Sequence, residues 1–398
     1  MRIRAFQALR PPPEIAPRVA SLPYDVVDAA EARRLAAGNP HCFFHVSRAE
    51  IDLPEGTPAE SDAVYAKAAE NLHAFVRNGV LQRDPEPRLY VYLLVRDGRA
   101  QAGVVAVCHV EDYERNVIRK HEKTRERPER DRTRHIVATG AHTGLVFMAY
   151  RDDARVEARV TAAMQGGALY DFEAADGVRH TLWPALDTAG LVEAFASVPC
   201  AYIADGHHRA AAAARVARER RAEECNWFLA GLFPATQLCI LAYNRCVADL
   251  HGLSETGFLQ AVRARFTVSD GAAPEPVRPA RVSMYLGGRW YELEWSQTPG
   301  ADVVARLDAS VLQSRLLAPV LGIDDPRSNP RIEFVGGIQS ADELRRRVDS
   351  GRAAVAFSLH PVTMDQIMQV ADAGQVMPPK STWFEPKLRS GLLVHTLD

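Results

Sequence analysis

The stretch Tyr202-Ile-Ala-Asp-Gly-His-His-Arg-Ala-Ala-Ala-Ala-Ala214 constrains this chain more than any other segment. A β-like run meets Asp205-Gly206, and a block of the strongest helix former follows at once, so the local order is strand, tight turn, helix. A helix start leaves four backbone N–H groups unpaired and carries about half a positive charge, which suits an anion. Gly206, His207, His208 and Arg209 crowd donors into this turn. Arg grips a phosphate through two parallel N–H bonds, and small alanines let the helix lie close on a sheet. The functional reading is a phosphate cradle. The plainer reading makes Asp205 a helix cap followed by two polar residues facing solvent, although cations in a first turn oppose the helix dipole.

Around this segment the text alternates between helix and strand periods. A helix is expected after the cap Asp28 with Glu31 three residues on, and another from Ser61 to Asn78 with Val64, Ala68, Leu72, Phe75 and Val76 on one face. Residues 89–95 and 103–108 read as a hairpin across Asp97-Gly98. Gly144–Tyr150, Cys200–Ala204, Trp227–Phe233 and Gln237–Tyr243 read as further strands of a mixed sheet. Beyond Asp249 come a helix near 254–266, a hairpin across Gly287-Gly288, a helix over 308–321, a strand at 331–335, a helix opened by Ser340 and Glu343, a strand at 353–359 and a helix opened by Thr363 and Gln366. The Pro- and Gly-rich run Asp270–Pro279 is the best linker candidate. The fold class is therefore α+β (mixed α/β), with a helix-rich segment at 1–88, a central core at 89–249 and an α/β region at 250–398.

Composition excludes several classes. The 48 Lys and Arg against 50 Asp and Glu in 398 residues give a formal charge of −2, so no chain-wide basic field recruits nucleic acid or an anionic membrane. The apolar runs fall far short of the ~20 residues that span a bilayer. The start MRIRAFQALRPPPE lacks the apolar stretch of a secretory signal, which points to the cytoplasm and to free thiols. The six cysteines form no C-x-x-C pair, and G-x-x-x-x-G-K-[ST], G-x-G-x-x-G and G-x-S-x-G are all missing.

A second segment, residues 116–132, sets Glu122 among Lys120, Lys123 and Arg125, where basic neighbours hold a carboxylate ionised and ready to accept a proton or a metal. The region 111–135 carries nine Lys or Arg and seven Asp or Glu, so a solvated helix laced with ion pairs is the competing reading. His121, Lys123 and Thr124 flank that glutamate as possible substrate or phosphate contacts. Tyr24 and Asp25 in Pro23–Val27 are candidates for lining a pocket, against the simpler turn before a buried strand. Ile332–Gly337 joins a strand to a glycine turn. Lys380 and Ser381, in Met377–Lys387, are candidates for reaching phosphate, against a rigid loop docked through Trp383 and Phe384.

Together PYDVV (23–27), NPxxFxHVxRxEIDLP (39–54), VIRKHEKT (117–124), DGHHR (205–209), IEFVGG (332–337) and MPPKSTWFEPK (377–387) resemble the domain of unknown function 1015 family. Within it, the HE at 121–122 and the DGHHR at 205–209 are similar to signature segments of free-serine kinases of ParB/sulfiredoxin fold. The resemblance implies a ParB/sulfiredoxin-like nucleotide-binding core with an insertion near 151–195. It also implies transfer of a phosphoryl group from ATP or ADP, with Mg²⁺, to L-serine or a related hydroxy amino acid. On it, Glu122 matches the catalytic base, while Asp205 with Gly206, His207, His208 and Arg209 matches the nucleotide-phosphate loop, Asp205 as a catalytic residue that either holds the metal or orients a histidine. Sulfiredoxin chemistry needs a cysteine where this chain has His207. The alternative is a nucleotide-binding regulatory module without phosphoryl transfer.

Overall fold

The computed structural model describes residues 1–297 and 300–398. Contacts divide the chain into two compact units, Met1–Leu238 with Pro386–Asp398, and Cys239–Glu385, where the sequence pattern reads as three segments.

The first unit is built on a nine-stranded sheet. Its strands are β1 (Ile3–Arg4), β2 (Tyr90–Arg96), β3 (Arg99–His109), β4 (Ile118–Arg119), β5 (Val146–Tyr150), β6 (Tyr170–Glu173), β7 (Arg179–Pro184), β8 (Ala201–Asp205) and β9 (Trp227–Pro234). They lie in the order β4-β8-β5-β9-β3-β2-β7-β6, with β1 also pairing β3. β4 runs parallel to β8 and β5 parallel to β9, while the other neighbours are antiparallel, so the sheet is mixed as expected. β2 and β3 form the expected hairpin: Asp97 and Gly98 take φ of 49° and 74°, the left-handed pair that a two-residue turn of matching twist requires.

The helices follow their caps. In α1 (Ala29–Ala36) the Asp28 carboxylate accepts from the Glu31 N–H. α2 (Asp62–Arg77) begins after Ser61 and buries Val64, Ala68, Leu72 and Phe75, but Val76 turns outward at 42 % exposure, one position past the apolar stripe. The charge-dense segment yields α3 (Glu126–Thr139), which is not wholly solvated, for Thr133, His135, Ile136 and Thr139 are buried. α3 packs against α2 on one flank. Residues 151–195 form α4 (Ala154–Ala163), the β6–β7 pair and α5 (Thr188–Ala196), extending the sheet beyond β2. α6 (His207–Arg220) buries Ala210 to Ala214, all but Ala211 in the same core as Val104, Ala106, Met148, Ile203 and Leu232, so the alanine block does bring the helix close to the sheet. α6 packs against α3. The chain end returns to this unit: His395 and Thr396 pair with His142 and Ala141, and Ser390 bridges to Ser21.

One expected strand goes elsewhere. Within Gln237–Tyr243, Cys239–Leu241 pairs antiparallel with Trp383–Glu385 in the second unit and adds nothing to the large sheet. An apolar run is suited to a sheet without specifying which edge it meets.

The second unit carries a six-stranded sheet of β10 (Tyr243–Val247), β11 (Thr267–Asp270), β12 (Arg281–Leu286), β13 (Arg289–Glu294), β14 (Ile332–Gly336) and β15 (Val355–Leu359) in the order β11-β13-β12-β15-β10-β14. All five pairings are antiparallel. α7 (Glu255–Arg263), α8 (Ala341–Asp349) and α9 (Met364–Asp372) accompany it, with Phe258, Val282, Met284, Leu312 and Phe357 in its core. The run Asp270–Pro279 is no linker: it joins β11 to β12 inside this unit, held by the Ser283 hydroxyl donating to the Ala273 carbonyl. Ser340 makes no capping bond at α8, whereas Thr363 and Gln366 form the full capping box at α9. Gly337 is required by packing, since a Cβ there would collide with the Ala242 carbonyl.

Candidate functional site

The parallel pairing of β4 with β8 determines which segments meet. Ile118 lies opposite Ala201 and Arg119 opposite Tyr202, so the residues after β4 continue in the same direction as the end of β8. His121 and Glu122 follow one strand, and Asp205 and Gly206 end the other. The rings of His121 and His207 meet edge to face with centroids 4.6 Å apart. Segments more than eighty residues apart in sequence are thereby brought together.

The turn takes the expected order, with Asp205 in β8, Gly206 at φ +92° and α6 from His207. The capping residue is Gly206, not Asp205; glycine has no side chain to accept from the first turn of α6, while the Asp205 carboxylate takes the Gly206 N–H. The N–H groups of that first turn are uncapped by the N-cap residue and suit an outside acceptor. Gly206 is needed twice over: its backbone is left-handed, and a Cβ would stand 2.8 Å from the Arg209 Nε.

Arg209 folds back over this glycine. One terminal nitrogen donates to the Leu145 carbonyl; the other lies 3.1 Å from an Asp205 oxygen and 3.8 Å from Asp25, while its buried Nε has no acceptor among the described residues. The Lys387 ammonium sits 3.8 Å from the same Asp205 oxygen. Burial works against ionisation of Asp205, but Lys387 and Arg209 outweigh it and hold the carboxyl well below the usual carboxylate range. Burial pushes the histidines the other way, His121 down to about 4 and His207 well below its ordinary value, so both rings are neutral at pH 7. The Ile203 backbone faces the His121 ring, and the Nε2 of His207 has no hydrogen-bond partner among the described residues.

His208 is half-buried and accepts at Nε2 from the Arg125 N–H at 3.1 Å, tying the start of α6 to the start of α3. Glu122 is half-buried in the bend after β4 and Lys123 is exposed, while the Thr124 hydroxyl is spent on Glu129 at 3.2 Å. Tyr24 is stacked by Arg132 at 3.8 Å, and burial raises its phenol. Lys380 and Ser381 belong to the second unit, where the Ser381 hydroxyl donates to the Pro378 carbonyl.

A cavity of about 380 Å³ adjoins α2 and α3, lined by Tyr24, Ser47, Tyr65, Arg125, Asp131, Arg132 and His135 among others. A smaller one of about 30 Å³ shares Tyr24, Ser47, Arg132 and His135 and reaches Arg209. Ser47 lies in both walls, its buried hydroxyl without a partner among the described residues. Glu122, Asp205 and His207 line neither. Sequence reasoning passed over Lys387 and Arg132. The first closes the MPPKSTWFEPK motif, and the second was one arginine among many in a charged run.

The match to known families is decisive at one level. The family model described as "Protein of unknown function (DUF1015)" matches residues 3–310. The chain belongs to this family. No curated protein matches it. Among solved structures it resembles a free serine kinase in complex with AMP at 9% identity and a TM-score of 0.37, covering 70% of this chain and 86% of that one. SbnI with C-terminal truncation from Staphylococcus aureus aligns at 12% identity and a TM-score of 0.42, covering 74% and 87%. A conserved hypothetical protein from Pyrococcus furiosus aligns at 11% and 0.38, covering 73% and 95%.

Proposed function

We propose that this family member is a nucleotide-dependent small-molecule kinase that transfers a phosphoryl group from ATP or ADP to the hydroxyl of L-serine or a related hydroxy amino acid. The observation that carries this reading is the uncapped start of α6, with Arg209 folded over Gly206 and Lys387 beside Asp205. Phosphoryl transfer asks a protein mainly for positioning and for charge stabilisation on the phosphoryl oxygens, and backbone N–H groups with Arg209 and Lys387 supply that. Glu122, in the bend after the neighbouring parallel strand, takes the hydroxyl proton. His207 acts through its backbone N–H, since its ring packs inward on His121.

Among the described residues no group of three or more carboxylate, imidazole or thiolate ligands is assembled. Both cations approach one oxygen of Asp205. Asp205 therefore fits Mg²⁺ only as a single ligand to an ion arriving with the phosphates, the usual way this metal is held. Bound there, the ion neutralises phosphate charge.

The test is phosphorus NMR of the protein with L-serine, Mg²⁺ and either ATP or ADP. Phosphoserine is expected, and Glu122→Gln is expected to lower turnover by about 10²–10⁴-fold. No phosphorylated amino acid with either nucleotide would sink the kinase reading. One observation favours a regulatory module instead: Glu122 lines neither cavity. That reading expects nucleotide to raise the melting temperature with no transfer.

A further inference from the structure

Arg245 in β10 is 3 % exposed. Buried cations are ordinarily paired with a carboxylate, because desolvation is otherwise uncompensated. Arg245 has no such partner among the described residues: one terminal nitrogen donates to the Tyr243 carbonyl and the other to the Lys380 carbonyl at a long 3.4 Å, with the Phe334 ring 5.4 Å away. Burial brings its pKa down to about 10. Two carbonyls leave part of a five-donor fork unused.

The guanidinium lines a notch of about 10 Å³, walled also by Tyr243, Asp308, His360 and Ser381. That is room for one water-sized group, hence for the tip of a ligand and not its body. Lys380 flanks the notch without lining it: it precedes Ser381, and its ammonium lies 5.5 Å from the ring of Tyr243 in the wall. Its backbone has φ +53°, an uncommon conformation for a residue with a side chain, and one that collects at ligand clamps. Asp308, across the notch, makes no ion pair with Arg245 and instead accepts from the Ala280 N–H.

We infer that the second unit carries an oxyanion site of its own, in which Arg245 supplies the buried charge and Lys380 the exposed one, for the terminal phosphate or carboxylate of a small molecule. The site uses the Lys380 of MPPKSTWFEPK that the proposed transfer chemistry leaves aside, and it stands whether or not the chain is a kinase.

Calorimetric titration of the full chain with inorganic phosphate, acetate and sodium chloride at matched ionic strength tests it. A saturable phosphate or acetate component is expected, weakened about tenfold by Arg245→Met and severalfold by Lys380→Gln. The oxyanion that binds more tightly identifies the end group. Any phosphate binding that survives Arg245→Met belongs to the first unit. Chloride binding as tightly as either oxyanion overturns the assignment, and so do titrations that both substitutions leave unchanged. Should Arg245→Met fail to fold, Lys380→Gln decides alone, because that side chain is exposed: unaltered affinity refutes the site, and a severalfold loss supports it.

Discussion

Two buried arginines, one in each unit, are treated in opposite ways. Arg209 is surrounded by this chain's own carboxylates, Asp205 and Asp25, and they raise its pKa against the effect of burial. Arg245 meets only carbonyls, and burial lowers its pKa. Chain placement explains the difference. Asp205 ends β8 four residues before Arg209, and Asp25 comes from the turn before α1, so both carboxylates reach that guanidinium. The second unit also pairs a buried arginine, Arg347 with Glu333 and Glu343, so the bare state of Arg245 belongs to its own site and not to the sheet. A cation that arrives with its counter-charges is a tuned element of a network; a cation without them is an invitation to an outside anion.

The largest effect should come from breaking the network. Asp205→Asn leaves Arg209 and Lys387 buried against a neutral amide, and removing one partner of a buried ion pair costs about 3–5 kcal/mol. Denaturant unfolding should show that loss in the first unit, along with loss of any phosphoryl transfer. Arg245→Met removes a charge already unpaired, so the second unit should unfold no earlier than in the wild type. Equal destabilisation by the two substitutions would erase the contrast.

Acid should separate the units next. Burial lowers His121 and His135 to about 4, and His142 and His180 to about 3. Each ring binds fewer protons folded than unfolded between that value and its ordinary 6.5, so the first unit loses stability as pH falls below 6.5. At pH 5.5 the loss is roughly 1 kcal/mol per ring, a few kcal/mol in all. Asp205 is not the source, because a depressed carboxyl surrenders its contribution only at much lower pH. Peptide-resolved hydrogen exchange at pH 7 and 5.5 reads the two units separately, and unchanged protection in the first would contradict the neutral, buried state of these rings.

Much of the candidate site was legible because it is local. The order of strand, glycine turn and helix at 201–220 follows from a β-rich run, one Gly and an alanine block, and the hairpin at 90–109 follows from Asp97-Gly98. What was not legible depends on which strands become neighbours. Nothing in Glu122 or Asp205 announces that β4 and β8 run side by side. Lys387 reaches Asp205 only because the last residues double back to pair near Ser21 and His142, a contact set by tertiary packing across hundreds of residues. The same blindness let Cys239–Leu241 pass for a strand of the large sheet. Val76 erred for a smaller reason, as the buried stripe of α2 was drawn one residue too wide.

The smallest effect tests the second unit from its other side. Burial pushes the Asp308 carboxyl up to about 6. Folded, it therefore holds its proton more tightly than unfolded, so stability in this unit rises as pH falls from 6 towards 3.8, opposite in sign to the histidines of the first. At pH 7 the ionised group is a penalty, and its one backbone bond, from the Ala280 N–H, needs only an acceptor. Asp308→Asn keeps that acceptor and removes the charge. The second unit should gain up to about 3 kcal/mol at pH 7, and most of that gain should vanish near pH 4, where the folded aspartate is already protonated. Removing a carboxylate that faces the Arg245 notch should also tighten oxyanion binding. If Asn destabilises at pH 7 instead, the carboxylate is the counter-charge of Arg245 after all, and the two units handle their buried cations alike.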